Sequence, residues 1–563
     1  MPQDLFTIKR TTKYLNQALS GAKISKVLQP NKDEVNLVLY KGYAFRLILS
    51  ANAKFSRVAI SNQEKQNPLT PPNFCMLLRK HLLGGEILNV EVVNDDRIIK
   101  ISIKNQNDFL DSETYEIYSE IMGKYSNVFL TKNGTILGSI KQTPQDIDGK
   151  RLTLSGSKYI YPEKPNKISA LNDSAKQILK GYQGGDIGRF ILNSFYDFSP
   201  VTANEIAYRI NGELKVFDSE KAYKIICDFI SLPTNATVIK DGLNVDFYAV
   251  DYLSVLGEKT EHESLLGAIE STYSSLESKK DLQTHKNSLY TVINGVEKKL
   301  LKKQVTLNDR IIESENYENY KLFGELITSY CYAIKKGQKS AVLTNYTDDG
   351  EQKITVALDE TLSPTENAQK YFKLYRKKKT TYSTSKEQVL QVEKELFYIS
   401  TVKFSLDLAS SIDDVLEIKS ELILQGIIKE QKSKKQKDKT LSKLNYRKYL
   451  IQGYTVLVGK NNLQNDSLLS TAEKTDIWLH VKNYHSSHVI IKNNNQVPNE
   501  VIKISAEICA YFSQGNGGGK VEVDYTFKKN VKKQGGSKTA SVFYTDYQSI
   551  TVVPNENQKY LIN

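Results

Sequence analysis

The amino-acid sequence predicts a multidomain α+β protein, with mixed sheet and short helix at both ends and long helix between them. Three observations lead there. The chain has 563 residues, which is too many for one ordinary core and enough for about three to five domains. Its hydrophobic fraction of 40% suffices to bury those cores. From about Glu258 the apolar pattern shifts to steps of three, four and seven, the signature of long packed helices. Net charge of +13 and a pI near 9.0 fit a polyanionic partner, nucleic acid or an anionic membrane surface. The four cysteines, Cys75, Cys227, Cys331 and Cys509, lie far apart without a C-x-x-C pair, so neither a disulfide framework nor a cysteine zinc finger is expected. Met1 to Arg10 holds no apolar run of signal-peptide length, and no later segment approaches the roughly eighteen apolar residues of a membrane span. The expectation is a cytoplasmic protein with no membrane partner.

The elements follow in order. Thr11 to Leu19 reads as helix, whereas Val35–Leu39 and Phe45–Ser50 have the alternation of strands. Pro71 and Pro72 suit the start of a helix from about Phe74 to Leu83, which Gly84 and Gly85 stop. Asn94-Asp-Asp-Arg97 precedes the strand Ile98–Ile103, and Tyr118-Ser-Glu-Ile-Met-Gly123 leads into Lys124. A further unit runs from about Asn172 to Gly257. Beyond it Leu282, Leu289, Ile293, Val296, Leu300, Leu307 and Ile311 mark one long helix, and a second, from about Ser385 to Ile428, carries Val389, Val392, Leu396 and Ile399. The two are expected to pair antiparallel. Helices of roughly 50 residues make an arm of about 75 Å, which suits bridging separated sites on a large particle better than holding a small metabolite. Between them lie Tyr320–Leu326, a strand-like pair at Ala341–Leu343 and Ile354–Leu358, and a helix capped by Ser363 or Thr365. Lys429 to Lys439 has no apolar residue and reads as a flexible basic linker.

The C-terminal part holds the densest chemistry. Val458 to Asp466 is amide-rich, and its Lys460, Asn461, Asn462, Asn465 and Asp466 offer donors and acceptors to a phosphodiester backbone or to splayed bases. Asp476-Ile-Trp-Leu-His480 and Ser487-His-Val-Ile-Ile491 place the single tryptophan, Trp478, with His480, His485 and His488 in one window. The same residues can also be plain strand residues of a small α/β core. Three histidines beside Asp476 suggest a metal, yet no second cluster and no i, i+4 histidine pair supports one, so no metal or cofactor is expected. The run Lys528, Lys529, Lys532, Lys533 to Lys538, and Arg376 to Lys379, can neutralise RNA phosphates and make binding steeply salt-dependent. No G-x-S-x-G elbow, Walker loop, H-E-x-x-H or dinucleotide fingerprint occurs, and the protein is expected not to be an enzyme.

Taken together these motifs resemble the NFACT family. The amide-rich segment with Asp476–Ile491 is similar to its C-terminal RNA-binding module, and Leu28-Gln-Pro-Asn-Lys-Asp-Glu34 and Asn67–Gly85 to its N-terminal domain. The matches cover nearly the whole chain in family order. Two positions depart from the family pattern: His485-Ser-Ser-His488 stands where relatives usually carry Pro-Gly-Ser-His, and Asp197 replaces a turn glycine within Phe195–Ile206, which resembles the second half of a helix-hairpin-helix. The resemblance implies a glycosylase-like N-terminal domain over 1–171, a helix-hairpin-helix unit over 172–257, and a coiled-coil arm over 258–430 with a small α/β tip near 314–375. A basic linker at 431–440 and an α/β RNA-binding domain over 441–563 complete it.

The resemblance also implies site residues and partners. Asp96, Arg97, Glu120, Ile121, Met122 and Lys124 match motifs the family uses to engage tRNA; Arg97 can bond a phosphate or a guanine edge while Asp96 or Glu120 accepts from an exocyclic amine. Lys460, Asn461, Asn462, Asn465, Asp466, Trp478, His480, Ser487, His488, Lys528, Lys529, Lys532 and Lys533 are expected toward rRNA. The implied function is a ribosome-associated quality-control factor. It would bind large ribosomal subunits obstructed by peptidyl-tRNA and recruit alanine tRNA for template-free C-terminal tailing of the stalled chain, the ribosome forming the bonds. Two other classes stay open. A fibronectin-binding surface adhesin would require export. A glycosylase would use Pro2 as an N-terminal amine for a Schiff base, although Gln3 stands where those enzymes place a catalytic Glu.

Overall fold

The computed structural model describes residues 3–106, 111–142, 151–242, 244–347, 350–429, 445–492, 496–534 and 541–562. They form two compact units, 1–280 and 281–563. The expected basic linker at 431–440 lies outside the described residues, as does the end of the basic run at Lys538.

The first unit opens with α1 (Leu5–Leu19), which starts ahead of the expected Thr11 because the Asp4 carboxylate accepts the Thr7 N–H as its N-cap and because Leu5, Phe6 and Ile8 are buried. Two antiparallel meanders follow: β1 (Lys23–Asn31), β2 (Glu34–Lys41), β3 (Tyr43–Ser50) and β4 (Arg57–Ser61), then α2 (Asn73–Leu82), then β5 (Glu86–Val92), β6 (Ile98–Gln106), β7 (Ser112–Glu120), β8 (Asn127–Lys132) and β9 (Thr135–Ser139). Among the described residues they join in one nine-stranded sheet ordered β4-β3-β2-β1-β5-β6-β7-β8-β9. Leu15, Leu19, Leu78 and Leu82 from the two helices pack with Val35, Leu37, Leu47, Ile101 and Ile117 in its core. The turn from β5 to β6 is made by Asn94 and Asp95, at φ 59° and 44°, a left-handed conformation these two residue types tolerate better than most. It presents Asp96 and Arg97.

The rest of the first unit is helical: α3 (Ala175–Lys180), α4 (Ile187–Ser194), α5 (Pro200–Glu213) and α6 (Ser219–Ser231), followed by β10 (Thr237–Asp241), β11 (Asn244–Tyr248) and β12 (Glu258–Glu261). Asp4 ties this part to α1. Its second oxygen accepts the Ser199 N–H at 2.9 Å and the Thr202 hydroxyl at 2.5 Å, so one carboxylate serves the starts of both α1 and α5. Arg10 does the same at a helix end, donating to the Ile230 and Leu232 carbonyls at 2.6 and 2.8 Å. Asp197, in the place of the turn glycine, points its carboxylate inward to accept the Ala170 N–H at 2.6 Å.

A helix of 50 residues, α7 (Leu265–Ser314), begins in this unit. Leu265, Ala268, Ile269 and Tyr273 pack with Phe55, Ala59 and Phe247. Beside them the fully buried Arg57 donates to both oxygens of Glu277, at 2.6 and 3.2 Å, and approaches Glu270 at 3.7 Å. Lys65 closes the network on Glu277 at 2.8 Å and the buried Glu34 at 2.7 Å.

The second unit contains the remainder of α7, then α8 (Tyr317–Ser329), the hairpin β13 (Ser340–Thr347) and β14 (Gly350–Ala357), α9 (Pro364–Leu408) and α10 (Ile412–Leu424). Ser363 caps α9 in a capping box with Glu366. The expected second helix, Ser385 to Ile428, is corrected at both ends. It starts at Pro364, where Ser363 and Glu366 cap it, and the polar run before Ser385 stays helical, its Thr381 and Thr384 hydroxyls bonded back to the carbonyls of Lys377 and Thr380. It breaks after Leu408, where Ser411 and Asp414 form a new capping box. Leu289, Ile293, Ile399, Val402 and Leu406 form the seam between α7 and α9, joined by Val415, Ile418 and Leu422 of α10.

The last part comprises β15 (Arg447–Ile451), β16 (Tyr454–Val458), α11 (Asn462–Thr471), β17 (Ile477–Val481), β18 (Val489–Ile491), α12 (Asn499–Tyr511), β19 (Val521–Phe527), β20 (Val531–Lys533), β21 (Val542–Tyr544) and β22 (Gln548–Val552). Its described strands make a six-stranded sheet, β15-β16-β18-β17-β19-β22, and a separate pair, β20-β21. Val501, Ala506 and Cys509 of α12 pack with Leu479, Val489 and Val523 of the sheet. Trp478, Ile490, Leu468 and Leu469 form a second cluster with Val531.

Arg57 gives the first prediction. Its removal leaves the half-buried Glu270 and Glu277 without their main cation, Lys65 alone remaining on Glu277, a change that costs up to about 3–5 kcal/mol. Arg57→Ala is expected to lower the midpoint of the calorimetric transition of the first unit, with Arg57→Lys intermediate. An Ala variant that melts like the unaltered protein would show that the network does not hold the root of α7.

Candidate nucleic-acid interface

Two sites emerge, one in each unit. In the first, a cleft of about 400 Å³ lies at the β5–β6 turn. Asp96, Arg97 and Met122 line it together with Lys164, Lys167 and the Ser199–Pro200 start of α5. The Asp96 carboxylate accepts the Arg97 N–H at 2.7 Å. Its contact with the Arg97 side chain is long, 4.0 Å, and that side chain is exposed. The guanidinium therefore keeps its fork for a ligand.

The other expected tRNA-site residues divide. Lys124 is exposed, its ammonium over the Tyr125 ring. Ile121 is buried. Glu120 is buried too, and its carboxylate accepts from Arg151 at 3.1 Å and from the Tyr159 hydroxyl at 2.7 Å. It is thus an internal charge, compensated by Arg151, and does not present a free acceptor. Arg151 lies 31 residues away in sequence, with nothing local to announce it.

In the second unit the amide-rich segment is already occupied by protein. Lys460 Nζ pairs with Asp414 at 3.0 Å, Asn461 donates to Glu417 at 2.8 Å, and Asn462 donates to Glu421 at 2.8 Å and Thr401 at 3.1 Å. Gln464 adds a bond to Glu417 at 2.6 Å. The three acids follow one another along one face of α10, at helical spacing. Burial works against the Asp414 charge, but Lys460 and the Ser410–Ser411 cap hold its carboxyl below the usual range. Burial pushes the Glu421 carboxyl up, partly offset by Asn462 and the Tyr398 hydroxyl. These amides thus fasten the C-terminal domain to α9 and α10 instead of standing free for RNA. The local backbone is tight as well: a Cβ at Gly459 would come within 2.0 Å of Asn465 Oδ1.

Behind this seam lies a cavity of about 420 Å³. His480, Ser487, His488, Asn462 and Asn465 line it, with Val542 and Tyr544 of β21 and Phe397 of α9. Trp478 is fully buried and supports the wall, parallel to His480 with 5.7 Å between ring centres. The His488 ring meets that of His480 edge-on at 5.3 Å, and the His488 backbone N–H is held by Asn465 Oδ1 at 3.1 Å. Ser487 is buried in the β17–β18 connection, donating its N–H to Phe512. His485, in the place of the family's turn proline, bonds Ser400 through Nε2 at 2.8 Å and packs on Phe397. Among the described residues no three His, Cys, Asp or Glu converge to hold a metal.

The expected lysines lie on β20 and in the turn just before it. Lys529 and Lys532 are exposed and Lys528 half-buried. Lys533 pairs with Asp466 at 2.6 Å. Lys532 sits on β20 directly opposite Phe543 of β21. The sequence reading did not single out Val542-Phe-Tyr544, although aromatic residues directly following a lysine run are the signal to look for in an RNA-binding surface.

The chain is similar to known proteins over most of its length. Residues 4–441 match the family model described as NFACT N-terminal and middle domains, and residues 445–542 match that described as NFACT protein RNA binding domain. The chain is 33% identical to the Rqc2 homolog RqcH of Bacillus subtilis (strain 168), over 97% of this chain and 96% of that one. It is 29% identical to the Rqc2 homolog RqcH of Streptococcus pneumoniae serotype 2, over 99% of both chains. A crystal structure of the fibrinogen binding protein from Staphylococcus aureus aligns with 48% of this chain and 97% of that one, at 27% identity and a TM-score of 0.42.

The histidines give a prediction for pH. Burial pushes the His480 ring from its ordinary 6.5 down to about 4. At pH 7 the ring is neutral in both folded and unfolded chains. Between about 6.5 and 4 the unfolded chain takes up a proton that the folded one refuses, so stability falls as pH falls through that window. The melting point of the second unit is expected to drop between pH 7 and 4.5, with a shallower slope in His480→Gln. An identical slope in the variant would contradict the assignment.

Proposed function

The chain belongs to the NFACT family, and from that premise we propose that it is a ribosome-associated quality-control factor. It binds large ribosomal subunits obstructed by peptidyl-tRNA, recruits tRNA carrying alanine, and supports template-free alanine tailing of the stalled chain. The ribosome makes the peptide bonds; the protein contributes positioning, which turns tRNA encounters into oriented, local ones. The names of its full-length relatives, homologues of Rqc2, support the quality-control reading.

The observation that carries the tRNA role is the cleft at the β5–β6 turn. There an exposed guanidinium, Arg97, lines one cleft with Asp96, Lys164 and Lys167. Arg and Lys bond phosphate, and Arg and Asp together read a base edge. In this reading Met122 and Lys124 extend the contact. Glu120 and Ile121 set the shape of the strand end from inside.

We assign 1–171 to the N-terminal domain, related in fold to glycosylases, and 172–257 to a helix-hairpin-helix unit. The arm takes 258–430, with its tip at about 314–375, and the RNA-binding domain takes 441–563. Lys528, Lys529 and Lys532 give that domain its phosphate contacts with rRNA, and a cytoplasmic location follows from such partners.

The test is a double variant, Asp96→Ala with Arg97→Ala, retrieved from cells with its bound RNA. Losing Arg97 is expected to cost about 1–3 kcal/mol of tRNA affinity while binding to large subunits survives. A double variant that still retrieves the same tRNA at unaltered yield, and still supports tailed peptides, would sink the assignment.

A further inference from the structure

The cavity behind the amide seam holds a polar group that the fold leaves unsatisfied. His488 is 4% exposed, lines the cavity, and its Nδ1 is buried without a hydrogen-bond partner. Buried polar atoms in folded proteins nearly always have partners, so an exception calls for an explanation. Burial depresses both His488 and His480, which keeps the two rings neutral at pH 7. A neutral imidazole offers one donor and one acceptor, the same pairing that a nucleobase edge presents. Asn465 spends its carbonyl on the His488 backbone N–H, which leaves its NH2 as a donor and the His488 ring untouched by that bond.

The surroundings fit the same ligand. The cavity has ring walls, His480 and Tyr544, on which a flat heterocycle can stack. One wall is β21, and β21 pairs with β20 in the register Lys532 opposite Phe543. Lys532 is exposed and has no ion-pair partner among the described residues, and Phe543 is 65% exposed. Lys532 and Phe543 thus share the outer face of the hairpin, while Val542 and Tyr544 on its inner face line the half-open slot. Lys460 cannot serve as the cation, because Asp414 already holds it.

We propose that this cavity takes one unpaired nucleobase of a bound RNA, its ring between His480 and Tyr544 and its edge on His488 and Asn465. The proposal rests on the reading that the C-terminal domain binds RNA, and adds that it recognises a splayed nucleotide. A base within a duplex cannot enter, since stacking and pairing already occupy its face and edge.

The experiment uses the full chain and fluorescence anisotropy with short single-stranded RNAs of each base, an abasic ribose-phosphate strand of the same length, and an RNA duplex. At least one base-bearing strand is expected to bind about tenfold or more tighter than the abasic strand. Val542→Trp, which fills the cavity and leaves every lysine in place, should bring that ratio close to one without changing duplex affinity. Lys532→Ala should weaken all three RNA classes alike. Equal affinity for base-bearing and abasic strands in a protein that does bind RNA overturns the base slot alone. So does a folded Val542→Trp protein that keeps the full ratio. Failure to bind any RNA overturns the slot together with the RNA-binding reading beneath it.

Discussion

A fully buried guanidinium sets the conditions for the long helix. The first turns of α7 bring Glu270 and Glu277 against the β4 end of the sheet, where an uncompensated carboxylate costs several kcal/mol. Arg57 answers with a fork that meets both oxygens of Glu277, a geometry a lysine cannot reproduce. Lys65 then shares Glu277 with Glu34 of β2. Strand, loop and helix are joined through one set of charges. The result is a directional hold on the first turns of a 50-residue helix.

The second unit uses polar groups in a related way. Lys460, Asn461 and Asn462 meet Asp414, Glu417 and Glu421 one for one, which fixes the register of the C-terminal domain on α10. Apolar packing alone tolerates sliding, whereas directional bonds to charged acceptors do not. The cavity exists because of this docking: α9 supplies Phe397 and Thr401 to its lining while β17 and β21 supply His480 and Tyr544. The arm therefore contributes directly to the candidate RNA site.

Much of this was legible in the sequence. Alternation located the strands at Val35–Leu39, Phe45–Ser50 and Ile98–Ile103, the proline pair located α2, and heptad steps located the α7 seam from Leu282 to Leu300. What escaped depends on partners distant in the chain. The start of α1 hangs on Asp4, and nothing near it reveals that the same carboxylate also holds α5. The acids of α10 look like any solvated helix face until the amide segment is seen against them. Glu120 reads as a surface acceptor until Arg151 is in place. The cluster of Trp478, His480 and His488 was found, but its division into supporting wall and cavity lining needed the third dimension.

The central claim is that a rooted arm and an RNA-binding C-terminal domain serve obstructed large ribosomal subunits. Sedimentation of tagged full-length protein from cells, through a gradient that separates free protein, large subunits and intact ribosomes, tests it most directly. The account predicts the protein in the large-subunit fractions, together with peptidyl-tRNA. Protein confined to the free and intact-ribosome fractions, with none on the large subunit, would contradict it.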